Sequence, residues 1–245
     1  MELGFNFCLP PGCVFRCMTY LGSVGGNGQG LVVGGGVTRW GYRTWFDDVE
    51  WRLADKLGLS AGGYLVASDD HFTAAGVLGW TSLTLSTGDV GGMVTGPTYP
   101  TVAQTAGNMS VGSKSYGFGF RARFNPTVNG EEGDLGVSSS DIANYVLTLF
   151  LNTSGTKQIF MTADSGGAGQ FRTAASSVTP DDNFHTVLGA FKYGVGGSTL
   201  SLSVDGEPWI DAATTKNPVG QRGMIVRSGG SSALTVDRSL FLVSN

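Results

Sequence analysis

The chain has 245 residues, enough for one large domain with an attached segment or for two small domains. Charged residues make up only 14% of it, against roughly 25% in an average domain, and its 40 glycines are more than twice the usual share of about 7%. This composition predicts a turn-rich β-protein and excludes a disordered chain, which combines low hydrophobicity with high net charge. A net charge of −4 with scattered basic residues predicts no nucleic-acid partner, and the absence of an apolar run of about 20 residues predicts no membrane span.

Residues 1–40 lack the alternating pattern of a self-sufficient domain. Cys8, Cys13 and Cys17 do not have the paired spacing of zinc ribbons, and at least one of them must be unpaired within the chain. Plain thiols are the favoured interpretation, with one disulfide or a metal site as alternatives. The glycine-rich stretch 25–36 predicts an extended arm that gains order by lying on a neighbouring molecule.

Residues 44–57 carry the one clear helix pattern. Thr44 is a candidate cap, and Val49, Leu53 and Leu57 recur every four residues along one stripe with Trp45. Two roles remain open for this helix. It closes one end of a β-sandwich, or it docks on a partner through its aromatic side chains, Trp45, Phe46 and Trp51.

The rest of the chain predicts short strands separated by Gly, Pro and Asp turns. The segment Asp69–His71 is interpreted as a solvated turn rather than a metal site, because adjacent residues of an extended chain point to alternate sides. The segment 145–151 is apolar almost throughout, which predicts a central strand covered on both faces. Further strands are predicted around residues 64–66, 77–80, 83–85, 116–123, 159–161, 171–173, 187–191, 199–204, 224–226 and 240–243.

The segment 184–209 carries a family resemblance. An aromatic-His-x-Val segment at Phe184–Val187 is followed by a Gly-rich turn and by Leu-x-Leu-x-Val-Asp-Gly at 200–206. This order resembles the late hairpin of concanavalin A-like and laminin-G-like jelly rolls, with Phe184 in place of the usual Trp and Ser203 in place of an aromatic residue. The resemblance implies a fold, and that fold hosts lectins, glycosidases, adhesion modules and inert virion parts.

The fold class predicted is therefore all-β, a two-sheet antiparallel jelly-roll sandwich of the concanavalin A-like type with an extended N-terminal arm and one short helix. Residues 1–58 are assigned to the arm and helix, and residues 59–245 to the jelly-roll domain.

The acidic residues do not form a recognisable catalytic motif. The glucanases that share this fold carry Glu-x-Asp-x-x-Glu along one strand, and we interpret Glu131, Glu132 and Asp134 instead as solvated acids of a loop. His185 occupies a structural strand position in the resembled families, and no Gly-x-Ser-x-Gly elbow occurs. These observations predict that the chain is not an enzyme, with a glycoside hydrolase kept as a third hypothesis.

Sugar binding is the second hypothesis. The resemblance implies a site made of loop Asp and Asn side chains, with or without calcium, beside an aromatic platform. The candidates are Asp181, Asp182 and Asn183 in one loop, with Trp209 as the platform. No other cofactor is predicted.

The leading hypothesis is a non-enzymatic structural protein of a virus particle, by analogy a bacteriophage capsid-decorating or tail-associated protein. It rests on the absence of a secretion signal at the N-terminus, the low-charge arm and the absence of a catalytic motif. The predicted location is the virion, and the predicted partners are other virion proteins, copies of the same chain and glycans. The predicted assembly contacts are Phe5, Phe7, Cys8, Phe15, Trp45 and Trp51.

Overall fold

The computed structural model describes residues 6–7, 18–19, 31–33, 36–38, 45–60, 62–70, 84–88, 91–95, 103–104, 109–139, 144–165, 170–218 and 221–245. The chain divides into two compact units, Met1–Asp48 and Val49–Asn245. In the first unit, two short antiparallel pairs are described, β1 with β2 and β3 with β4. The boundary expected at residue 58 stays a prediction.

The elements in chain order are one helix and nineteen strands within the described residues. They are β1 Asn6–Phe7, β2 Met18–Thr19, β3 Leu31–Val33, β4 Gly36–Thr38, α1 Trp45–Leu57, β5 Tyr64–Asp70, β6 Thr84–Gly88, β7 Gly91–Thr95, β8 Ala103–Gln104, β9 Met109–Ser110, β10 Tyr116–Arg123, β11 Glu132–Ser138, β12 Asn144–Thr153, β13 Thr156–Ser165, β14 Phe171–Arg172, β15 His185–Lys192, β16 Ser198–Val204, β17 Ile210–Thr214, β18 Gln221–Gly229 and β19 Thr235–Ser244.

The second unit is built on two antiparallel sheets. The eight-stranded sheet has the order β17-β16-β15-β10-β19-β7-β6, with β5 also paired to β19. The seven-stranded sheet has the order β14-β13-β12-β11-β18-β8, with β9 also paired to β18. The predicted jelly-roll sandwich with one short helix is confirmed, and so is the C-terminal strand, which lies inside the larger sheet.

The core lies between the two sheets and follows the alternation of the strands. The larger sheet contributes Phe118, Phe120 and Phe241, and the smaller one contributes Val137 and Phe150, all fully buried. Alternate residues of a strand face opposite sides, so each strand places one set of side chains in this core and the other set on the outer face of its sheet.

The helix packs on the outer face of the eight-stranded sheet. Val49, Leu53 and Leu57 are buried, as their four-residue spacing predicts. Gly117 in β10 makes room for them, because a Cβ at that position would lie 2.9 Å from Leu53 Cδ2. The helix is anchored at its polar edge by Arg52, whose Nη2 donates a hydrogen bond of 2.8 Å to Ser203 Oγ.

The central strand β12 is buried on both faces, as its sequence predicts. Val146 and Phe150 belong to the core between the sheets, whereas Leu147 and Leu149 lie on the outer face and are also buried. The outer face of the seven-stranded sheet is therefore largely shielded from solvent at its centre.

Two segments expected to be turns form strands. The acidic loop predicted at residues 131–134 lies mostly in β11, and Asp69 and Asp70 end β5. The Cys residues, the cap at Thr44 and His71 lie outside the described residues.

Candidate functional site

The outer face of the seven-stranded sheet concentrates polar side chains. In β11, Leu135 and Val137 point into the core, so Glu132 and Asp134 lie on the opposite face. The strand register places Asp134 opposite Leu149 on one side and Arg227 on the other. Glu132 and Asp134 thus occupy successive outward-facing positions of a central strand.

Asp134 is the buried centre of this group. Its side chain is fully buried, and Arg227 Nε donates a hydrogen bond to its Oδ2, while Oδ1 has no hydrogen-bond partner among the described residues. Burial raises the pKa of Asp134 to about 6, opposed by Arg227 and reinforced by the charge of Glu132. Arg227 also reaches Glu132, with Nη2 3.7 Å from Oε1, so one guanidinium links both acids.

A second polar pair, Tyr145 and Asp164, lies two same-face positions further along the sheet. Tyr145 is opposite Asp164 in the register of β12 and β13, and Gln170 Nε2 donates a hydrogen bond of 3.0 Å to the Tyr145 hydroxyl oxygen. Burial raises the pKa of Tyr145, and the charges of Asp164 and Asp134 add to the effect. The phenol therefore stays protonated and able to donate a hydrogen bond at neutral pH.

The edge of the sheet adds an exposed aromatic side chain and a cation. Phe171 is 40% exposed, and its register partner Ala163 belongs to the core, so its ring lies on the inner side of the sheet at this edge. The next residue, Arg172, places its guanidinium carbon 5.5 Å from the ring centroid of Phe160, a cation–π contact that limits its rotamers. We call the whole group the polar face. Its members are Glu132, Asp134, Tyr145, Gln170, Arg172 and Arg227.

Glu131, next to this group in sequence, belongs to a different environment. Its two oxygens accept six hydrogen bonds, from the backbone of Thr127 and Val128 and from the backbone and hydroxyls of Ser231 and Ser232. Burial raises its pKa, but these hydrogen bonds outweigh burial and hold the pKa well below its usual range. Glu131 ties two loops together, and the expectation that it is a solvated loop acid is wrong.

The predicted sugar-site residues form a tight local network. Asp181 accepts hydrogen bonds from the backbone and side-chain nitrogens of Asn183 at 2.7 and 2.9 Å and lies 3.0 Å from His185 Nε2. Asp182 Oδ2 accepts a hydrogen bond of 3.0 Å from Asn125 Nδ2. His185 is buried and also bonded to Asp205.

Trp209 lies against the helix. Its ring centroid is 5.8 Å from Arg52 Cζ and 5.5 Å from Lys56 Nζ. Both cations pack on the indole, which is one of their best aromatic partners. The binding role of Trp209 and of Asp181, Asp182 and Asn183 stays a prediction.

The predicted assembly residues are described only in part. Phe5, Cys8 and Phe15 lie outside the described residues, and Phe7 is described only as part of strand β1. The ring of Trp45 meets that of Phe46 edge-on at 5.0 Å, and Trp51 is 54% exposed. Their role in assembly stays a prediction.

The described residues show neither a cluster of metal ligands nor a membrane-spanning helix. They contain no group of three or more His, Cys, Asp or Glu side chains that could hold a metal ion, and the calcium alternative stays a prediction. Within the same part of the chain, no helix is long and apolar enough to cross a membrane.

Comparison with solved structures places the fold among concanavalin A-like jelly rolls. An endo-1,3-beta-glucanase from Streptomyces sioyaensis matches with a TM-score of 0.50 and 13% identity, over 75% of this chain and 97% of that one. Peanut lectin, solved with a 9mer peptide, matches with a TM-score of 0.50 and 9% identity, over 74% and 97% of the two chains. No family model matches the sequence, and no curated protein matches it.

These neighbours correct two predictions. The hypothesis of a non-enzymatic virion protein was wrong, because the neighbouring folds are those of a glucanase and a lectin and nothing links them to a virus particle. The prediction that the chain is not an enzyme is overturned as well, since the fold is shared with a glycan-cleaving protein. The missed signal is Glu132-Gly133-Asp134, which matches the start of the Glu-x-Asp-x-x-Glu pattern on a central strand, with Val137 at its last position.

Proposed function

We propose that the jelly-roll domain binds a glycan at the polar face. The observation that carries the proposal is the arrangement of Glu132, Arg227 and Tyr145 on one side of a sheet whose other side forms the core. A carboxylate, a guanidinium and a phenol together accept and donate hydrogen bonds, as the hydroxyl groups of a sugar require. The lectin and the glucanase that share the fold support this ligand class.

The partial burial of these side chains favours specific binding. Arg227 is 15% exposed and is bonded to Asp134, so its guanidinium is already oriented before a ligand arrives. Tyr145 is held in the same way by Gln170. Leu149 and its register partner Phe160 add apolar side chains to the same face, and a site of a few fixed polar groups beside apolar side chains is typical of small-ligand binding.

A tyrosine pair provides the matched test. Tyr145→Phe removes one hydroxyl from the polar face, whereas Tyr64→Phe removes a hydroxyl that donates a 2.9 Å hydrogen bond to Glu50 near the helix. A glycan array would identify a ligand, and calorimetry would then compare the two variants. We expect Tyr145→Phe to weaken binding by about fivefold, the value of one hydrogen bond of roughly 1 kcal/mol. An unchanged affinity in Tyr145→Phe, or an equal loss in Tyr64→Phe, would place the ligand elsewhere.

A second candidate, glycoside hydrolysis, is favoured by the acid pair on β11. Glu132 and Asp134 are two residues apart, so their Cα atoms are about 6–7 Å apart on one face. With its pKa raised to about 6, Asp134 holds a proton at mildly acidic pH, as an acid catalyst must. Release of reducing ends from a β-1,3-glucan, abolished by Glu132→Gln at glycan concentrations that still saturate the variant, would establish this activity. No release by the wild-type chain on a glycan that it binds would overturn this candidate.

A further inference from the structure

Three arginines lie together on the outer face of the other, eight-stranded sheet. Arg121 of β10 is directly opposite Arg238 of β19, and Arg123 is the next residue of β10 on the same face. A β-bulge between Arg121 and Ala122 gives β19 one extra residue here, Asp237. We call Arg121, Arg123 and Arg238 the arginine cluster.

One buried carboxylate, Asp237, lies beside this cluster. Arg121 Nη1 donates a hydrogen bond to Asp237 Oδ2, and Asp237 is buried. Arg121 and Arg238 face each other directly, and like charges in that position on a sheet are destabilising. Burial lowers the pKa of Arg238, and the charge of Arg121 lowers it further against the opposing effect of Asp237.

An aromatic ring holds two of the guanidinium groups in place. The Phe184 ring centroid lies 4.8 Å from Arg121 Cζ and 5.0 Å from Arg123 Cζ. Stacking on an aromatic face restricts a long side chain without using its hydrogen-bond donors, so less freedom is lost when a ligand binds. The Arg121 side chain is still 27% exposed, so it is accessible to a ligand.

We propose that the arginine cluster binds an oxyanion: the sulfate, phosphate or carboxylate group of a ligand. Guanidinium groups pair with such anions through two parallel hydrogen bonds, and several of them at one place supply both the charge and the geometry. The bound anion also relieves the repulsion between Arg121 and Arg238. This site is independent of the polar face, which lies on the other sheet.

The alternative explanation is that these arginines form a charged surface of the sheet without a specific binding site. In that case an anion acts through general salt effects, and any lysine or arginine of the surface contributes equally. The two explanations differ in how single charge deletions behave. Lys192 is an exposed cation of the same sheet, six residues along β15 from Thr186, which is the register partner of Arg121. Lys192→Gln is therefore the matched control.

The test is thermal unfolding of the full chain with sodium sulfate or phosphate, titrated against chloride at constant ionic strength. The wild type and Lys192→Gln should show the same saturable rise in Tm. Arg238→Gln should weaken the apparent affinity for the anion by about tenfold, the value of one charge-assisted hydrogen bond pair. It should also raise Tm in chloride, because it removes one of two facing like charges. Arg123→Gln gives the same affinity test if Arg238→Gln does not fold.

Two outcomes would overturn the proposal. One is a saturable rise in Tm that is identical in the wild type and in both arginine variants, and the other is a rise in Tm that does not saturate. The ligand class is then resolved with three polysaccharides: sulfated, uronate-containing and neutral. Binding of the first or second, weakened in the arginine variants, identifies a sulfate or a carboxylate as the group bound. Phosphate alone showing a saturable effect identifies a phosphate ligand, and failure of neutral-glycan binding at the polar face leaves these outcomes unaffected.

Discussion

Glu131 and Asp134 are three residues apart in sequence, and both are buried, yet the fold shifts their pKa values in opposite directions. Glu131 accepts six hydrogen bonds, and its pKa is held well below the usual range. Among the described residues, Asp134 has one cationic partner, Arg227, and its pKa is raised to about 6. The difference teaches that burial alone does not decide the state of a carboxylate. Asp134 lies deeper than Glu131, and the number of donors around each carboxylate adds to this difference.

The same difference separates a structural acid from a candidate functional one. The hydrogen bonds that Glu131 accepts join the loop before β11 to the turn before β19. Within the described part of the chain, Asp134 retains one oxygen without a hydrogen bond, next to Glu132 and Arg227 on the polar face. Buried groups with perturbed pKa values and incomplete hydrogen bonding are typical of functional sites.

The largest effect is expected from Glu131→Gln. The amide offers one acceptor oxygen, so buried backbone donors such as Ser231 N or Val128 N lose their partner, and the free energy of unfolding should fall by about 3 kcal/mol. Because the pKa of Glu131 is lowered on folding, its contribution is present above its ordinary value of 4.5 and is lost as pH falls below it. Chemical denaturation at pH 7 measures the loss.

Glu132→Gln is the control for that experiment. Glu132 is the adjacent acid, its side chain is 39% exposed, and its link to Arg227 is long at 3.7 Å. A partly exposed ion pair contributes less than about 1 kcal/mol. Equal losses in the two variants would contradict the assignment of Glu131 as the structural acid.

An effect of opposite sign is expected from Asp134→Asn. The folded-state pKa of Asp134 is raised above 3.8, so the penalty for its charge is absent below about pH 4, grows between pH 4 and 6 and is complete above. The neutral amide removes this penalty but also weakens the attraction to Arg227. We expect a gain of about 1–2 kcal/mol at pH 8, less than the full value of the pKa displacement.

Denaturation at pH 4 and pH 8 tests this directly. The gain should disappear at pH 4, where Asp134 is protonated in both the folded and the unfolded chain for much of the population. A loss of stability at pH 8 would show that the ion pair with Arg227 outweighs the cost of burial. Asp134 would then resemble Glu131 as a structural acid.

The smallest effect concerns the network around His185. The hydrogen bond to Asp205 raises the pKa of His185 against the effect of burial, with Asp181 adding to the rise. The pKa of Asp181 and that of Asp205 are lowered. The histidine contribution is complete below pH 6.5 and is lost at higher pH, whereas the aspartate contributions are complete above 3.8 and are lost at lower pH.

The network should therefore stabilise the fold most between about pH 4 and 6.5. Asp181 and Asp205 are 47% and 41% exposed, so the effect should stay below about 1 kcal/mol. His185→Gln should flatten the stability profile in this window while leaving the loss caused by Glu131 at low pH. An unchanged profile in His185→Gln would show that this network does not contribute to the pH dependence of stability.

Local pattern was enough to predict the helix and the strands, whereas the jelly-roll type came from the resemblance of residues 184–209. The apolar stripe of Val49, Leu53 and Leu57 predicted the helix, and the alternation of Leu200, Leu202 and Val204 predicted a strand with one buried face. These signals are strong because burial of apolar side chains is the main driving force of folding and its period is visible in the sequence.

The polar face was missed because its strand has weak local signals. Glu132, Gly133 and Asp134 are all residue types that are depleted in strands, so the segment was interpreted as a loop. Its pairing comes from distant neighbours, β12 and β18, and a Cβ at Gly133 would lie 3.0 Å from the Phe124 ring. The glycine that suggested a turn instead allows close packing inside the sandwich.

By itself, the sequence determined the all-β class, the helix and the strands of the core, because these follow from the periodicity of apolar side chains. Only the tertiary structure decided which acids are buried, which are saturated with donors and where the arginines gather. Glu131 meets Ser231 and Ser232 across 100 residues of chain, and Arg227 meets Asp134 across 93. No local pattern encodes such partners, and the charge state of a buried group depends on them.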